Sequence, residues 1–290
     1  MNMPGAVRVS VVGDFNGWDG RVNPMRRIDY TDIFELFIPG DLANTRYKFE
    51  ALYRDGNVDI FADPYAVAYE VAPGNASILT ELEYSWNDSA YMKNRNKAAG
   101  VNIYEVHMPT WGNVPDDGKL TYAEFGREIA TYVKNMGYNY IQFMPLMEYG
   151  DDSGWGYDTV GMFAPTSRYG TPVDFMAMVD HLHSKGIGVI MDMVTVKDID
   201  CLSYWIDTYH LDGIRIEDEE LVREFRNITG DRYADVLVGL GWNNEAVTRV
   251  TDYMMIPPAA RGSFSDYTCG ITFDESDSSV WALSHDAVAG

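Results

Sequence analysis

The sequence predicts a multidomain β + α/β protein: an N-terminal β-sandwich followed by a domain of alternating strands and helices. Three observations carry this. Residues 1–80 show period-two alternation broken by turn dipeptides. From residue 101, short apolar runs alternate with helical patterns. Between them, residues 81–100 are polar and rich in Asn and Lys, which reads as a linker. The boundaries follow as 1–82 for the sandwich, 83–100 for the linker and 101–290 for the strand–helix domain.

In the first part, Val7, Val9 and Val11 alternate with Arg8 and Ser10, the rhythm of a half-buried strand. Ile33-Phe-Glu-Leu-Phe-Ile38 and Tyr47-Lys-Phe-Glu-Ala-Leu-Tyr53 repeat it. Turn signals at Asn16-Gly17, Pro39-Gly40 and Asp55-Gly-Asn57 separate these runs. In the second part, 101–108 reads as a strand, 122–136 as a helix and 138–144 as the next strand. Thr171-Pro-Val-Asp174 opens a helix with a cap residue, a proline at the first helical position and an acid at the third. The run 187–194 is an apolar strand delivering Asp192, 201–211 a helix and 213–217 a short strand. This alternation implies a parallel sheet wrapped by helices, either flat or closed into a barrel.

Composition narrows the function classes. The net charge of −22 and pI near 4.4 argue against nucleic acid and anionic membrane as partners, since both need clustered Lys and Arg. They fit a neutral ligand such as a polysaccharide. Two cysteines, Cys201 and Cys269, are too few for a disulfide framework. The N-terminus has no basic stretch followed by an apolar run, and no run approaches the ~18 apolar residues of a membrane span, so the expected location is cytoplasmic. The sequons at Asn75, Asn87 and Asn227 read as chance in such a chain.

The candidate chemistry sits where carboxylates end apolar runs: Asp192, Glu217 and His285-Asp286. In a βα barrel that end of the strands carries the active site. Arg215 lies two residues before Glu217, so both project from one side of the strand, and the Arg would hold a carboxylate ionised and oriented. Trp111, Trp155, Tyr157 and Trp242 flank expected loops, where such rings can stack on sugar faces; aromatic rings are equally common in cores.

These segments, taken in order, resemble the bacterial 1,4-α-glucan (glycogen) branching enzymes of the α-amylase superfamily. Gly13-Asp-Phe-Asn-Gly-Trp18 is similar to the turn of a glucan-binding β-sandwich module. Tyr104-Glu-Val-His107 followed by Trp111 resembles the first barrel strand, and Trp155-Gly-Tyr157 the loop whose Tyr stacks on the sugar. Ile190-Met-Asp192, Asp212-Gly-Ile-Arg215-Ile-Glu217, Gly241-Trp-Asn243 and Leu283-Ser-His-Asp286 resemble successive barrel motifs. The resemblance implies an incomplete (β/α)8 TIM-type barrel behind a carbohydrate-binding sandwich. It implies Glu217 as nucleophile, with Arg215, Asp192, His285 and Asp286 in catalytic support. Tyr157, Trp155, Trp111, Trp242 and Trp18 would contact glycogen, amylose or amylopectin; no cofactor or metal is implied.

The departures bear on activity. The family nucleophile is an Asp, and Glu217 is one methylene longer, a displacement of about 1 Å that can cost roughly a hundredfold in rate. Lys197 or Asp198 stands where the family has a sugar-contacting His. The motif with the proton-donating Glu has no match, leaving Asp218 or Glu245 as substitutes, and the segment between Glu217 and Gly241 reads as too short for another βα unit. The connection from Asp192 to Arg215 is short, and the sequence ends just past the seventh-strand motif, so an open sheet with exposed edges and homo-oligomers are expected. Asp192, Arg215 and Asp286 can equally be salt-bridge and core supports without catalysis. The readings left open are a weakened enzyme, a non-catalytic α-glucan-binding protein, and a truncated or redesigned fragment without activity.

Overall fold

The computed structural model describes residues 1–95, 101–111, 120–240, 268–274 and 279–284. The chain forms two units: Met1–Glu83 with Met147–Gly150 and Val160–Pro172, and Tyr84–Leu146 with Asp151–Thr159 and Val173–Gly290.

In the first unit β1 (Ala6–Gly13) and β2 (Arg26–Arg27) are followed by β3 (Phe34–Glu35), β4 (Arg46–Tyr53), β5 (Val58–Phe61) and β6 (Ser77–Ile78). Strand β4 pairs antiparallel with β1, β5 and β6, while β2 and β3 form a separate pair. Ala6, Val9, Phe34, Phe49 and Ala51 make the core between them. The expected alternation of Val7, Val9 and Val11 is interrupted. Ala6 opposes Tyr53 and Arg8 opposes Leu52, so Val7 is an extra residue at a bulge and faces solvent. The run 33–38 yields only the two-residue β3, and Phe37 is 86% exposed. A hairpin from later in the sequence, Met147–Tyr149 against Thr159–Pro165, contributes to this unit. There the Glu148–Arg168 ion pair (2.7 Å) is buried, and the Arg168 guanidinium lies 4.0 Å from the centre of the Tyr149 ring.

The second unit begins with α1 (Ser89–Met92), β7 (Ile103–Val106), α2 (Tyr122–Asn135) and β8 (Tyr140–Phe143). After the hairpin strands β9 (Met147–Tyr149) and β10 (Thr159–Pro165) come α3 (Pro172–Ser184), β11 (Gly188–Asp192), α4 (Ile199–Tyr209), β12 (Gly213–Ile216), α5 (Glu219–Thr229) and β13 (Leu237–Leu240). The sheet order is β13-β12-β11-β8-β7, all parallel. Each new strand adds to the same side, which is barrel progression; a doubly wound sheet would reverse direction. The open choice between a flat and a curling sheet is therefore resolved as part of a (β/α) barrel.

Local chemistry starts the helices. Thr121 caps α2 in a reciprocal box with Glu124, Asp198 caps α4 and Asp218 caps α5 through the Leu221 N–H. Their apolar faces meet the sheet: Phe125, Ile129 and Val133 from α2, Trp205, Ile206 and Tyr209 from α4, Leu221, Val222 and Phe225 from α5. The Phe175 ring joins these layers edge-on to Tyr122 (5.3 Å) and Tyr209 (5.2 Å).

Two expectations are corrected. The segment after Glu217 does hold a complete βα unit, because α5 and β13 both fit between it and residue 241, with β13 parallel to β12. The seventh-strand motif Leu283-Ser-His-Asp286 is described only to Ser284, where β15 (Ser279–Ser284) pairs antiparallel with β14 (Thr268–Asp274) rather than in the parallel sheet. Among the described residues no helix is long and apolar enough to cross a membrane.

Gly188 marks the tightest point of the sheet: a Cβ there would lie 2.3 Å from the Tyr140 ring and 3.0 Å from the Tyr91 hydroxyl. Gly188→Ala should therefore destabilise the chain by about 1–3 kcal/mol, the usual range for overpacking. Urea denaturation followed by far-UV circular dichroism checks it; an unchanged midpoint would show that Tyr140 can yield.

Candidate active site

Strand register decides which side chains share one face of the parallel sheet. Glu105 opposes Gln142, Gln142 opposes Ile190, and Ile190 opposes Gly213. Neighbours in register point the same way, and so do residues two apart. Glu105, Gln142, Asp192, Arg215 and Glu217 therefore project from one face, with Asp192 directly opposite Arg215 at the strand ends.

Asp192 is fully buried, and its Oδ2 accepts hydrogen bonds from Arg215 Nη1 (2.5 Å) and the Tyr157 hydroxyl (2.7 Å). Arg215 Nη2 donates to Glu217 Oε1 at 2.7 Å. The Arg215 side chain is 11% exposed and that of Glu217 is 59% exposed, so a buried cation presents an accessible carboxylate at the strand end. Below them, Gln142 Nε2 donates to Glu105 Oε1 (3.2 Å). Gln142 Oε1 and Arg215 Nε are buried without a hydrogen-bond partner.

Burial raises the Asp192 carboxyl above its ordinary value, although Arg215 and Tyr157 pull it back. Burial also raises Glu105, with Arg215 opposing and Asp192 reinforcing the shift. For Arg215 burial works against the charge, but Asp192 and Glu217 outweigh it and the guanidinium is held more firmly protonated than usual. Burial and the charge of Asp192 push the Tyr157 phenol up, so it stays a neutral donor.

Tyr157 reaches Asp192 through a tight loop. Trp155 and Gly156 both take left-handed conformations (φ 57° and 89°). A Cβ at Gly156 would lie 2.3 Å from the Pro145 carbonyl oxygen, so only glycine serves there. Trp155 is left 57% exposed, stacked on His107 with ring centres 5.0 Å apart. Thr159 Oγ1 and Thr195 Oγ1 (3.1 Å) tie this loop to the one following β11. Lys197 pairs with Asp218 at 3.0 Å across the loops after β11 and β12.

The structure thus brings Asp192, Arg215, Glu217 and Tyr157 together, with Trp155 on the same loop as Tyr157. Trp111, in the segment after β7, is partly buried and lies edge-on to Phe125 (5.3 Å) and Tyr132 (5.8 Å) of α2. Trp242, His285 and Asp286 fall outside the described residues. Trp18 is 39% exposed in the first unit, in a turn built by Asn16, whose Oδ1 accepts the N–H groups of Gly13 and Trp18. Its indole donates to Asp14, itself paired with Arg46. Gln142, Glu105 and His107 were not expected in the site. In the sequence Gln142 is a polar residue inside the apolar run 140–144, and that polarity is the signal that could have marked it.

Comparison with known proteins gives the lineage. Residues 3–66 match carbohydrate-binding module 48 (isoamylase N-terminal domain), and residues 128–197 match the α-amylase catalytic domain. A crystal structure of a pullulanase from Paenibacillus barengoltzii, in complex with maltohexaose and α-cyclodextrin, superposes with a TM-score of 0.65 at 19% identity. It covers 82% of this chain and 50% of the other, and shows the fold alone. The chain is thus built as an α-amylase superfamily protein, with a carbohydrate-binding β-module preceding the catalytic-domain segment. It is 45% identical over 199 residues to the 1,4-α-glucan branching enzyme GlgB of Aquifex aeolicus, covering 66% of this chain and 31% of that protein. It is 39% identical over 267 residues to that of Paramagnetospirillum magneticum, covering 74% of this chain and 36% of the other. The chain is thus related in sequence to these branching enzymes and spans about a third of the length of the curated relatives it matches.

The buried pair supports a direct test. Arg215→Met leaves Asp192 buried and uncompensated, and should destabilise the chain by about 3–5 kcal/mol. Asp192→Asn with Arg215→Met should cost less than the sum of the single changes, by about 0.5–3 kcal/mol. Chemical denaturation of the four proteins closes the cycle; strict additivity would mean the two groups do not interact.

Proposed function

We propose that this chain is an α-glucan-binding member of the branching-enzyme family whose strand-end site has the layout for α-1,4 glucan cleavage and transfer to a 6-hydroxyl, with the chemistry strongly impaired. The observation that carries the reading is the Tyr157–Asp192–Arg215–Glu217 chain of contacts. In the proposed reaction Glu217 would attack the anomeric carbon to form a glycosyl ester, while the departing 4-oxygen takes a proton from water. A 6-hydroxyl of a second chain would then displace Glu217, giving its proton back to the hydroxide so formed. Arg215 Nη2 holds and aims Glu217 Oε1 at 2.7 Å, and Tyr157 offers a ring to the sugar.

Two features support impairment. Glu217 carries an extra methylene, and no acid matches the family donor in the sequence. Asp218 is a poor substitute. The Leu221 N–H and then the Lys197 ammonium hold its carboxyl below the ordinary range, so it has no proton to give near neutrality. The purely binding reading draws on the same Arg215, because its contacts with both carboxylates also suit a structural support. Neutral glucan would be held by rings and hydroxyl bonds in either case.

The tests are independent. Incubation with amylose, read by iodine stain and chain-length profile, should show branching several orders of magnitude below a full-length enzyme. Glu217→Asp should raise whatever activity exists by up to about a hundredfold. Abundant α-1,6 branching by the parent chain, lost on Glu217→Gln, would overturn the impairment. Affinity electrophoresis in amylopectin should show weak retardation that moderate salt does not change; retardation abolished by salt, or none at all, would count against glucan binding.

A further inference from the structure

At the end of the sheet where strands begin, His183 is completely buried between two carboxylates. Its Nδ1 lies 2.8 Å from Asp88 Oδ2 and its Nε2 lies 2.9 Å from Asp212 Oδ2. Both oxygens are already acceptors. Asp212 Oδ2 takes the Val189 N–H at 2.7 Å, and Asp88 Oδ2 takes His210 Nδ1 at 2.8 Å. A neutral imidazole has one N–H; only imidazolium donates from both nitrogens at once. The geometry thus fits a positively charged His183 donating to both carboxylates.

Three parts of the second unit meet at this ring. Asp88 precedes α1, His183 ends α3 and Asp212 leads into β12. Asp212 is also knit to β11 by its own N–H, which donates to the Val189 carbonyl at 2.8 Å. Tyr91 stacks on His183 at 4.2 Å, and Trp86 stacks on His210 at 3.8 Å. Residues 84–95 are thus fastened through charges facing one imidazolium.

We propose that Asp88, His183 and Asp212, with His210, form a proton-dependent latch that holds residues 84–95 against the strand-start end of the parallel sheet and lets them go when His183 loses its proton. The remaining titratable groups around it leave His183 as the group that switches. Burial, more than the nearby carboxylates, drives the Tyr91 and Tyr140 phenols above their ordinary range, so both stay neutral. Arg95 is paired with Asp235, and Asp180 on α3 accepts from the Tyr84 hydroxyl and from Asn87. His181 is lowered by burial and by Lys185 and Arg127, so it is neutral through the relevant range.

The window has two edges. Burial alone would lower His183, but the two carboxylates win and raise it to about 9. A histidine raised above its unfolded value of about 6.5 contributes fully below that value and loses the contribution as pH rises through the folded one. Burial would raise Asp88, but the two histidines outweigh it and hold its carboxyl below 3.8, so the acid edge lies under that value.

The experiment uses the full 290-residue chain. Long-range ¹H–¹⁵N spectra of the histidine rings should show His183 doubly protonated at pH 7 and titrating near 9. Hydrogen exchange read by mass spectrometry, corrected for the intrinsic pH effect, should show protection of 84–95 falling on the order of tenfold from pH 7 to about 10.5, with α2 as internal reference. In His183→Gln the same segment should be less protected at pH 7, with no pH-linked loss. A neutral His183 at pH 7, or protection of 84–95 that follows α2 at every pH, overturns the latch. If His183→Gln does not fold, the ring titration and exchange profile of the parent chain decide it.

Discussion

The register that sets Asp192 opposite Arg215 is the constraint on which the site depends. A buried carboxylate is expensive by several kcal/mol, and its attraction to one cation seldom returns all of that. Asp192 meets the cost with two donors, the Arg215 guanidinium and the Tyr157 hydroxyl. Each is supplied by a different piece of chain: β12, paired in parallel, and a loop that turns through Trp155 and Gly156. A one-residue slip of β12 would turn Arg215 to the helix side and leave the charge alone. The polar pair thus enforces the register, and the register in turn aims Glu217 outward.

Much of this was legible in the sequence. Asp192, Arg215 and Glu217 could be named because the end of an apolar strand and the i, i+2 rule place side chains without knowledge of packing, and Tyr157 as an aromatic beside an expected loop. The strands of the parallel sheet were readable for the same reason: each is a short apolar run bounded by Gly or polar residues. Other features needed tertiary context. Val7 looks like a core residue until the bulge at Ala6–Arg8 rotates it outward. The packing of Trp111 against Phe125 and Tyr132 of α2 was likewise not readable from the sequence. The segment after Glu217 reads as too short for another unit because its helix and connections are compact; α5 and β13 fill it with little to spare.

Residues 84–95 show why polarity alone misleads. Asn87, Asp88, Asn94 and Arg95 give the stretch the composition of a connector. In the fold, Asn87 donates to Asp180, Asp88 accepts from two histidines and Arg95 forks onto Asp235. A polar residue is solvated in a linker and partnered in a core, and a single sequence does not distinguish the two, because the partners lie roughly a hundred positions away.

Strand β11 therefore carries a buried carboxylate problem at each end, solved by different cations. At its finish Asp192 is balanced by Arg215, whose guanidinium keeps its proton at any pH a protein survives. At its start Asp212 is balanced by His183, whose proton is exchangeable within an accessible range. Asp212 bonds to Val189, so about three residues of β11, about 10 Å, lie between the two levels. An alkaline shift should then act on one end only, loosening what is fastened to Asp212 while the Asp192–Arg215 pairing keeps its charge. The choice of histidine or arginine at the two ends makes one end of the same strand responsive to protons and the other indifferent to them.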